Sequence, residues 1–342
     1  MRLVDAYVDC GRFPVTRFPW AYARLARHHP RLWALLYAGT QFGLDPRYVI
    51  GPFLRAGLKR LFAEERPDVV VSTLPVVNGL LAREANHRAR IEVVLTDWHS
   101  VHPFWVARGV DHYTAPTESA RQDCLRFGAQ PEVVDVVGIP VRREFAGGVS
   151  PDERRLMRSQ CLSSLGLEPR RFTVLAMVGA EGSPRSLRNV AQLAAADLQA
   201  DAQLVVVCGR NDELRQRVER LPARVPLKAL GFVEDGANLM RAADLLVTKA
   251  GGLTLAEAFC CAVPVVIHDV LPGQEAGNLE YVLQHGAVAY APRPRALIQV
   301  VAELASDARK REELGRRGAQ LARPHAAAQI VENLLARARL PR

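Results

Sequence analysis

The sequence predicts an α/β protein with two domains, each built on a parallel β-sheet that helices cover on both faces. The chain has 342 residues, which is more than one hydrophobic core usually serves. From Pro67 onward, short runs rich in Val, Ile and Leu alternate with helical patterns, as in parallel sheets buried on both faces. The stretch 146–151 interrupts this alternation with Gly, Ser and Pro and is typical of a linker. We therefore expect domains at 1–147 and 148–342.

The predicted elements follow the chain in order. Residues 2–8 favour a short strand, and Tyr48–Glu65 has the periodicity of a helix. The further strands are expected at Asp68–Ser72, Ile91–Thr96, His112–Ala115, Val133–Val137, Phe172–Val178, Gln203–Cys208, Pro226–Ala229, Asp244–Thr248, Val263–Ile267 and Ala287–Tyr290. Helical patterns fill the gaps at Pro75–Arg88, Glu118–Phe127, Ser186–Leu198, Asp212–Arg220, Leu253–Cys261, Glu275–Gln284, Arg295–Glu303, Arg309–Ala322 and His325–Ala338.

The composition excludes several classes of protein. Hydrophobic residues make up 49% and charged residues 24% of the chain, as in ordinary globular proteins. No apolar run approaches the ~20 residues of a membrane-spanning helix, and Met1 is followed by charge instead of an apolar leader. The six cysteines form no C-x-x-C pair, which indicates reduced thiols in a cytoplasmic protein. No Asp-x-Asp dipeptide is present to hold a divalent ion beside a nucleotide, so we expect neither a metal nor another cofactor.

Positive charge is concentrated near the amino end. The net charge is +9, and the window from Cys10 to Phe62 holds nine Lys/Arg and one acidic residue. Within Arg12–Gln41, arginines alternate with large apolar side chains, a pattern typical of helices that lie in an anionic membrane interface. Nucleic acid is the other partner class for such a patch, and packing on the protein's own core is the alternative for each helix. For the whole window we favour anionic lipid over nucleic acid, with contacts from Arg17, Trp20, Arg24, Arg27 and Trp33.

The segment 245–258 gives the first indication of function. A short apolar run ends at Lys249-Ala250-Gly251-Gly252, and a helical pattern begins at Leu253. Glycines let a ligand approach the backbone, and the first N–H groups of a helix attract anions. The pattern indicates a phosphate or diphosphate site, although a plain strand-to-helix turn has the same pattern. Glu257 lies one helical turn further on, where its carboxylate can accept hydrogen bonds from a ribose.

A second turn of the same kind follows the strand Val263–Ile267. It contains Pro272-Gly273-Gln274-Glu275 and then Asn278, and Gln274 and Asn278, four residues apart, should share a helix face. The two motifs, in this order and spacing, resemble the nucleotide-sugar domain of inverting glycosyltransferases of family 28, which include monogalactosyldiacylglycerol synthases and bacterial diacylglycerol glucosyltransferases. The resemblance implies that the first loop holds the diphosphate and that Glu257 holds the ribose. It also implies that Gln274, Glu275 and Asn278 hold the sugar.

The resemblance extends to three further turns of the second domain. The Gly-rich turn 179–183 matches one that meets the donor phosphates, Cys208-Gly209-Arg210-Asn211 matches a segment of galactolipid synthases, and Gly231-Phe232-Val233 lies where uracil is held. A plain turn, a surface arginine and a core phenylalanine are the respective alternatives. The implied donor residues are Gly179, Gly182, Arg210, Phe232, Val233, Lys249, Gly251, Gly252, Leu253, Thr254, Glu257, Gln274, Glu275 and Asn278.

The first domain carries the other half of the resemblance. Thr96–Trp105 resembles the galactolipid-synthase segment in which Thr-Asp is followed by His-Pro-x-Trp. An Asp and two His at the carboxyl end of a strand can position or deprotonate a hydroxyl, whereas a metal site or packed histidines are the alternatives. We favour handling of the acceptor, with catalytic roles for Asp97, His99 and His102 and a contact to acceptor or membrane for Trp105.

The same family implies the GT-B fold, in which two Rossmann-like domains face a cleft and the final helix, here 325–338, packs back on the first domain. Family members begin with a strand and a Gly-rich loop that ends in histidine and faces the reacting centre. No counterpart of that loop precedes Arg12. We therefore expect an N-terminally incomplete first domain. Either Met1 is a misassigned start, which we favour, or this chain has lost the loop that bears the base.

These observations lead to one hypothesis and three alternatives. The hypothesis is an inverting transfer of galactose or glucose from UDP-galactose or UDP-glucose to diacylglycerol, by a cytoplasmic protein peripheral on the inner face of the plasma membrane. The alternatives are an N-acetylglucosaminyltransferase acting on a peptidoglycan precursor, against which the His-Pro-Phe-Trp segment argues, a sugar-nucleotide epimerase, and a catalytically inactive lipid- or nucleotide-binding relative. The sequence does not distinguish galactose from glucose.

Overall fold

The structure, a computed structural model, describes residues 1–41, 46–178, 184–198 and 201–338. The chain divides into two compact units. Unit 1 comprises Met1–Ile139, Pro272–Gly277 and His325–Arg342, and unit 2 comprises Pro140–Leu271 and Asn278–Pro324. The chain thus passes between the units more than once. The resemblance implied the return of the helix 325–338, but the predicted limits, 1–147 and 148–342, did not place Pro272–Gly277 with the first unit.

Within the described residues the secondary structure is regular and alternating. The strands are β1 (Val69–Ser72), β2 (Arg90–Val94), β3 (His112–Ala115), β4 (Val134–Val136), β5 (Phe172–Met177), β6 (Ala202–Val207), β7 (Leu227–Leu230), β8 (Leu245–Lys249), β9 (Val265–Asp269) and β10 (Ala289–Tyr290). The helices are α1 (Ala6–Asp9), α2 (Phe18–His28), α3 (Pro30–Gln41), α4 (Pro46–Glu65), α5 (Asn78–Ala85), α6 (Glu118–Arg126), α7 (Arg143–Ala146), α8 (Pro151–Ser164), α9 (Pro184–Ala195), α10 (Asp212–Glu219), α11 (Gly236–Ala242), α12 (Gly252–Cys260), α13 (Ala276–Gln284), α14 (Pro294–Ser306), α15 (Ala308–Leu321) and α16 (Ala326–Ala338).

The strands predicted from Asp68 onward are all present. The structure corrects the predictions at two places, where helices α1 and α8 begin. The strand expected at 2–8 is wrong, because Asp5 accepts hydrogen bonds from the N–H groups of Tyr7 and Val8 and caps α1. Helix α8 directly follows the predicted linker and had no predicted counterpart. Ser150 and Glu153 form a capping box at its start, with Pro151 in the first turn, and this signal was present in the sequence.

Unit 1 is built on a four-stranded parallel sheet in the order β1-β2-β3-β4. Helix α4 turns Leu54 and Leu58, both fully buried, toward the core that lies against this sheet. On a separate patch, Ala326 and Ile330 of α16 pack against Val94 and Val137.

An ion-pair cluster also ties α16 to this sheet. Arg337 bonds the buried Glu92 on β2 (2.9 Å) and Asp135 on β4 (3.1 Å). His112 on β3 lies between them, with Nε2 at 3.2 Å from Asp135 Oδ2. Charged groups buried in this way are retained only when they are paired, so Arg337 anchors the end of α16.

Unit 2 contains a six-stranded parallel sheet in the order β10-β9-β8-β5-β6-β7. Strands β5 and β8 are adjacent, and from them the chain proceeds toward opposite edges. In open parallel sheets, ligands bind at the carboxyl ends of the strands next to such a switch point. The predicted α/β class, with two Rossmann-like parallel-sheet domains, is confirmed.

Across the described ranges, no helix has both the length and the apolar character that crossing a bilayer requires.

Candidate functional site

The turn between β8 and α12 lies at the switch point of the unit 2 sheet. The first helical hydrogen bond of α12 runs from Leu255 N to Gly251 O (3.1 Å), and no side chain caps the helix at Gly251. The amides of residues 252–254 therefore precede the helical hydrogen-bond ladder, at the end of the helix that favours anions. Of the residues predicted here, Lys249, Gly252 and Thr254 are half-buried and Leu253 is exposed. This geometry suits a phosphate group.

Two contacts from neighbouring segments hold this turn in place. Ala250 N donates to the carbonyl of Asp269 at the end of β9 (3.2 Å). Asn278 is buried, and its Nδ2 donates to the carbonyl of Ala250 (3.1 Å). Asn278, predicted to bind the sugar, thus has a bond that braces the phosphate turn.

Glu257 lies half-buried on the next turn of α12. Burial raises the pKa of this carboxyl from 4.5 to about 7, and the guanidinium of Arg142 opposes the shift while Glu144 adds to it. Arg142 also bonds the side chain of Glu144 (3.0 Å) and the carbonyl of Glu234 (3.0 Å). Arg142 was not among the predicted site residues. Its position beside Glu257 is what the structure adds.

The predicted base-binding residues lie at the surface of unit 2. The ring of Phe232 is 61% exposed, so the alternative of a core phenylalanine is wrong. The guanidinium carbon of Arg210, also exposed, lies 5.2 Å from the centroid of that ring. An exposed aromatic face beside a cation can stack against a planar base. Gly179 and Gly182, predicted in the Gly-rich turn, lie outside the described residues.

Asp97 occupies the loop after β2 in unit 1. Trp105 is buried, and its indole Nε1 donates to Asp97 Oδ2 (2.9 Å). Burial raises the pKa of the Asp97 carboxyl, the bond from Trp105 opposes that shift, and the charge of Glu275 adds to it. A carboxylate with a raised pKa accepts a proton more readily near neutral pH. Trp105 is only 1% exposed, so the predicted contact of its ring with lipid is wrong.

His102 has a partner at each ring nitrogen. The amide of Phe104 donates to Nδ1 (3.1 Å), and Nε2 lies 3.0 Å from Thr40 Oγ1. Thr40 donates its own proton to the carbonyl of Tyr37 (2.6 Å), so Nε2 carries the hydrogen of the bond to Thr40. Burial lowers the pKa of His102 to about 4. The ring is therefore neutral, and the lone pair of Nδ1 accepts the hydrogen bond from Phe104. This favours a positioning role for His102 over proton transfer.

His99 lies where the loop Pro272–Gly277 packs against the 97–105 segment. Its Nδ1 is hydrogen-bonded to Ser119 Oγ. A Cβ added at Gly277 would lie 2.4 Å from the carbonyl oxygen of His99, so only glycine permits this approach. Unit 1 therefore brings the predicted sugar loop and the predicted acceptor segment together. The sequence placed them in different domains.

The start of α13 changes the expected geometry of the sugar loop. The helix begins at Ala276, so Gln274 and Glu275 lie in the turn before it, and the expected shared face of Gln274 and Asn278 is wrong. Glu275 is buried. Gln274 Oε1 accepts a hydrogen bond from the hydroxyl of Tyr22 (2.9 Å). Sequence reasoning had no means of pairing residues 252 positions apart.

The predicted lipid-contact residues of α2 and α3 fall into two groups. Arg17, Trp20 and Arg24 are exposed, and the guanidinium carbon of Arg24 lies 5.7 Å from the Trp20 ring centroid. By contrast, Arg27 is half-buried, and Trp33 packs against the ring of Tyr22 with centroids 4.8 Å apart. Trp33 therefore packs on other aromatic rings with part of its surface accessible, and its contact with lipid stays a prediction. Apolar side chains are exposed on α3 at Leu32, Leu35 and Leu36.

In the part of the chain that the structure describes, no cluster of three or more His, Cys, Asp and Glu side chains could hold a metal ion.

Two family models match the chain. The model for monogalactosyldiacylglycerol (MGDG) synthase matches residues 2–141, and the model for glycosyl transferases group 1 matches residues 172–321. The first match includes the segment around Asp97. The second contains the β8–α12 turn and Glu257.

Curated relatives cover nearly the whole chain. A probable monogalactosyldiacylglycerol synthase of Glycine max is 30% identical over 353 residues, which is 97% of this chain and 64% of the relative. A processive diacylglycerol beta-glucosyltransferase of Bacillus pumilus is 32% identical over 306 residues, which is 86% of this chain and 76% of the relative. The chain thus spans just under two thirds of the length of the plant relative.

Solved structures share the fold at low identity. HepE of Anabaena, in complex with UDP-glucose, has a TM-score of 0.57 at 18% identity and aligns over 85% of this chain and 83% of its own. WaaG, a glycosyltransferase involved in lipopolysaccharide biosynthesis, has a TM-score of 0.53 at 17% identity and aligns over 82% of this chain and 81% of its own. These neighbours show the two-domain GT-B fold.

Proposed function

The chain belongs to the family of monogalactosyldiacylglycerol synthases and diacylglycerol glucosyltransferases, and we propose that it transfers a hexose from a UDP-sugar to diacylglycerol. One observation carries this proposal more than any other. In unit 1, the segment that carries Asp97 packs against the loop expected to hold the sugar, since a Cβ added at Gly277 would lie 2.4 Å from the carbonyl oxygen of His99. The charge of Glu275 in that loop also raises the pKa of the Asp97 carboxyl. A base beside a sugar-binding loop is what transfer to a hydroxyl requires.

The nucleotide would bind to unit 2. The amino end of α12 would hold the diphosphate, and the helix dipole would stabilise the charge that grows on the leaving oxygen. Lys249 or Arg210 would add positive charge. Glu257 would accept hydrogen bonds from the ribose hydroxyls, and Arg142 would keep part of the Glu257 population ionised near neutral pH, because it lowers the pKa of that carboxyl.

Asp97 would act as the general base. Its Oδ2 accepts the bond from Trp105, so Oδ1 would be the oxygen that takes the acceptor's proton. In a single displacement, the acceptor oxygen attacks the anomeric carbon, its proton passes to Asp97, and the bond from that carbon to the diphosphate oxygen breaks. The products are the inverted glycolipid and UDP. His102 would support this loop through its bonds to Phe104 and Thr40.

The acceptor would arrive from a lipid surface. The exposed arginines and apolar side chains of α2 and α3 suit the interface of an anionic membrane, and the relatives' names specify a galactolipid in one case and a diacylglycerol glucoside in the other. UDP-galactose and UDP-glucose are therefore both candidate donors. We place the protein at the inner face of the plasma membrane, where UDP-sugars and anionic lipids meet.

The test is transfer of labelled hexose to vesicles that contain diacylglycerol. UDP-galactose and UDP-glucose are offered separately, with and without anionic lipid in the vesicles. Glycolipid should form with at least one donor. Turnover of UDP-sugar without lipid would support an epimerase instead, and absence of any turnover would support an inactive relative.

Asp97→Asn tests the assignment of the base. Loss of a general base typically lowers the rate by about 100- to 10,000-fold, so we expect a loss of kcat in this range. Asp152→Asn is the matched control, because Asp152 lies at the exposed start of α8 with its carboxylate 90% accessible. If Asp97→Asn keeps full activity, the base is another group.

A further inference from the structure

The helices α2 and α3 contact the predicted sugar loop directly, and both belong to unit 1 with that loop. The hydroxyl of Tyr22 on α2 donates to Gln274 Oε1 at 2.9 Å. In the expected donor site, Gln274 is a residue that meets the hexose. A tyrosine from a distant part of the chain therefore bonds a predicted sugar ligand.

Aromatic packing holds Tyr22 in this position. Its ring meets that of Trp33 edge to face, with centroids 4.8 Å apart, and Trp33 in turn lies 6.0 Å from the ring of Tyr37. Such edge-to-face pairs add stability beyond the area that they bury. Tyr22 is therefore a fixed hydrogen-bond donor, since its ring has little freedom to move.

Tyr37 touches the same loop one residue before Gln274. A Cβ added at Gly273 would lie 2.8 Å from Tyr37 Cδ1, and Gly273 has a φ of +85°. Both the space and the backbone angle therefore require glycine here. The loop is thus held at two successive residues, by packing at Gly273 and by a hydrogen bond at Gln274.

The bond from Tyr22 occupies one edge of the Gln274 amide and leaves the other for a ligand. A glutamine side chain offers one oxygen acceptor and one NH₂ donor, and the hydroxyl of a tyrosine can pair with either of them. In the structure Oε1 accepts from the hydroxyl of Tyr22, and the NH₂ group is the edge that can donate to a sugar oxygen. In either orientation of the amide, the bond to Tyr22 holds the end of the Gln274 side chain in place.

We propose that Tyr22 is a positioning residue for the donor sugar, which holds the amide of Gln274 in place so that its second edge bonds a hexose hydroxyl. This inference rests on the proposed function. A polar group held in place discriminates between hexoses that differ in the direction of one hydroxyl, because only one of the two directions brings the oxygen within hydrogen-bond distance. Tyr22 therefore contributes to the choice between epimeric UDP-hexoses, although it touches no substrate itself.

Tyr22→Phe tests the proposal, because it removes the hydroxyl and keeps the ring that packs on Trp33. Binding of UDP, UDP-galactose and UDP-glucose is measured by titration calorimetry, and kcat and KM are measured for both UDP-hexoses. Affinity for UDP should stay unchanged, because UDP has no hexose. Affinity for the preferred UDP-hexose should fall about three- to tenfold, as for loss of one hydrogen bond, and the ratio of the two transfer rates should move toward one.

Two further variants separate positioning from general damage. In a Gln274→Ala background, Tyr22→Phe should have no additional effect on hexose affinity, because Tyr22 acts only through Gln274. Tyr48→Phe is the matched control, because this tyrosine is 83% exposed, and it should leave all constants unchanged.

Three results would overturn the proposal. An equal loss of UDP and UDP-hexose affinity in Tyr22→Phe would mean that Tyr22 only supports the fold. A loss that persists in the Gln274→Ala background would mean that it acts by another route. If the unaltered protein transfers hexose from neither UDP-sugar to vesicles that contain diacylglycerol, the proposed function itself fails, a result visible before any variant is made.

Discussion

Glu257 should make UDP-sugar binding depend on pH close to neutrality. Burial raises the pKa of its carboxyl to about 7 in the ligand-free protein, and the ionised form is the one that accepts two hydrogen bonds from a ribose. Binding should therefore strengthen as the pH rises through this value. From a pKa of about 7, about a tenth of the molecules carry an ionised Glu257 at pH 6 and about nine tenths at pH 8. The affinity at pH 8 should then be about ten times that at pH 6.

The assay is calorimetric titration with UDP-glucose or UDP-galactose between pH 6 and pH 8. UDP itself is unsuitable, because a terminal phosphate also titrates near pH 6, whereas the diphosphate of a UDP-sugar is esterified at both ends. Glu257→Gln should bind more weakly at pH 8 and lose most of the pH dependence. Glu144→Gln is the companion variant: the charge of Glu144 raises the pKa of Glu257, so its removal should move the midpoint to lower pH. An unchanged pH profile in Glu257→Gln would refute the assignment of Glu257 to the ribose.

Two further predictions concern unit 1. Trp105→Phe removes a hydrogen bond that lowers the pKa of Asp97. The acid limb of the pH profile of kcat/KM should therefore move to higher pH. A shift to lower pH would contradict the role of Asp97 as the base. Gly277→Ala places a Cβ 2.4 Å from the carbonyl oxygen of His99 and should lower the free energy of unfolding by about 1–3 kcal/mol, measured by denaturant titration. Gly147→Ala, where an added Cβ meets nothing within 4 Å, should change it by less than about 0.5 kcal/mol, and an equal loss in both variants would contradict the close packing at Gly277.

The fold and the nucleotide turn were accessible to sequence reasoning because their signals are local. Alternating apolar runs predicted the strands, and Gly251-Gly252 before an Ala- and Leu-rich helix predicted the turn at the start of α12. The helix α8 was missed although its capping box can be read from Ser150 and Glu153. The strand expected at 2–8 failed because one aspartate, Asp5, caps a helix there.

The candidate site was accessible only in part. The motifs identified Asp97, Glu257 and Gln274, but they did not show which groups lie beside them. Arg142 lies 115 positions before Glu257 in the chain. In the fold it is close enough for its charge to lower the pKa of the Glu257 carboxyl. Asn278, expected to meet a sugar, bonds the carbonyl of Ala250, and no local pattern in the sequence predicts that contact.

Hydrophobic periodicity and helix starts depend on neighbouring residues, so the α/β class, the order of the strands along the chain and the two turns that carry the donor motif could be predicted without the fold. The folded chain was needed to show that Pro272–Gly277 packs with the first segment of the chain, that Tyr22 bonds Gln274, and that burial raises the pKa values of Asp97 and Glu257. Burial and side-chain pairing involve segments that are far apart in sequence and meet only when the whole chain has folded.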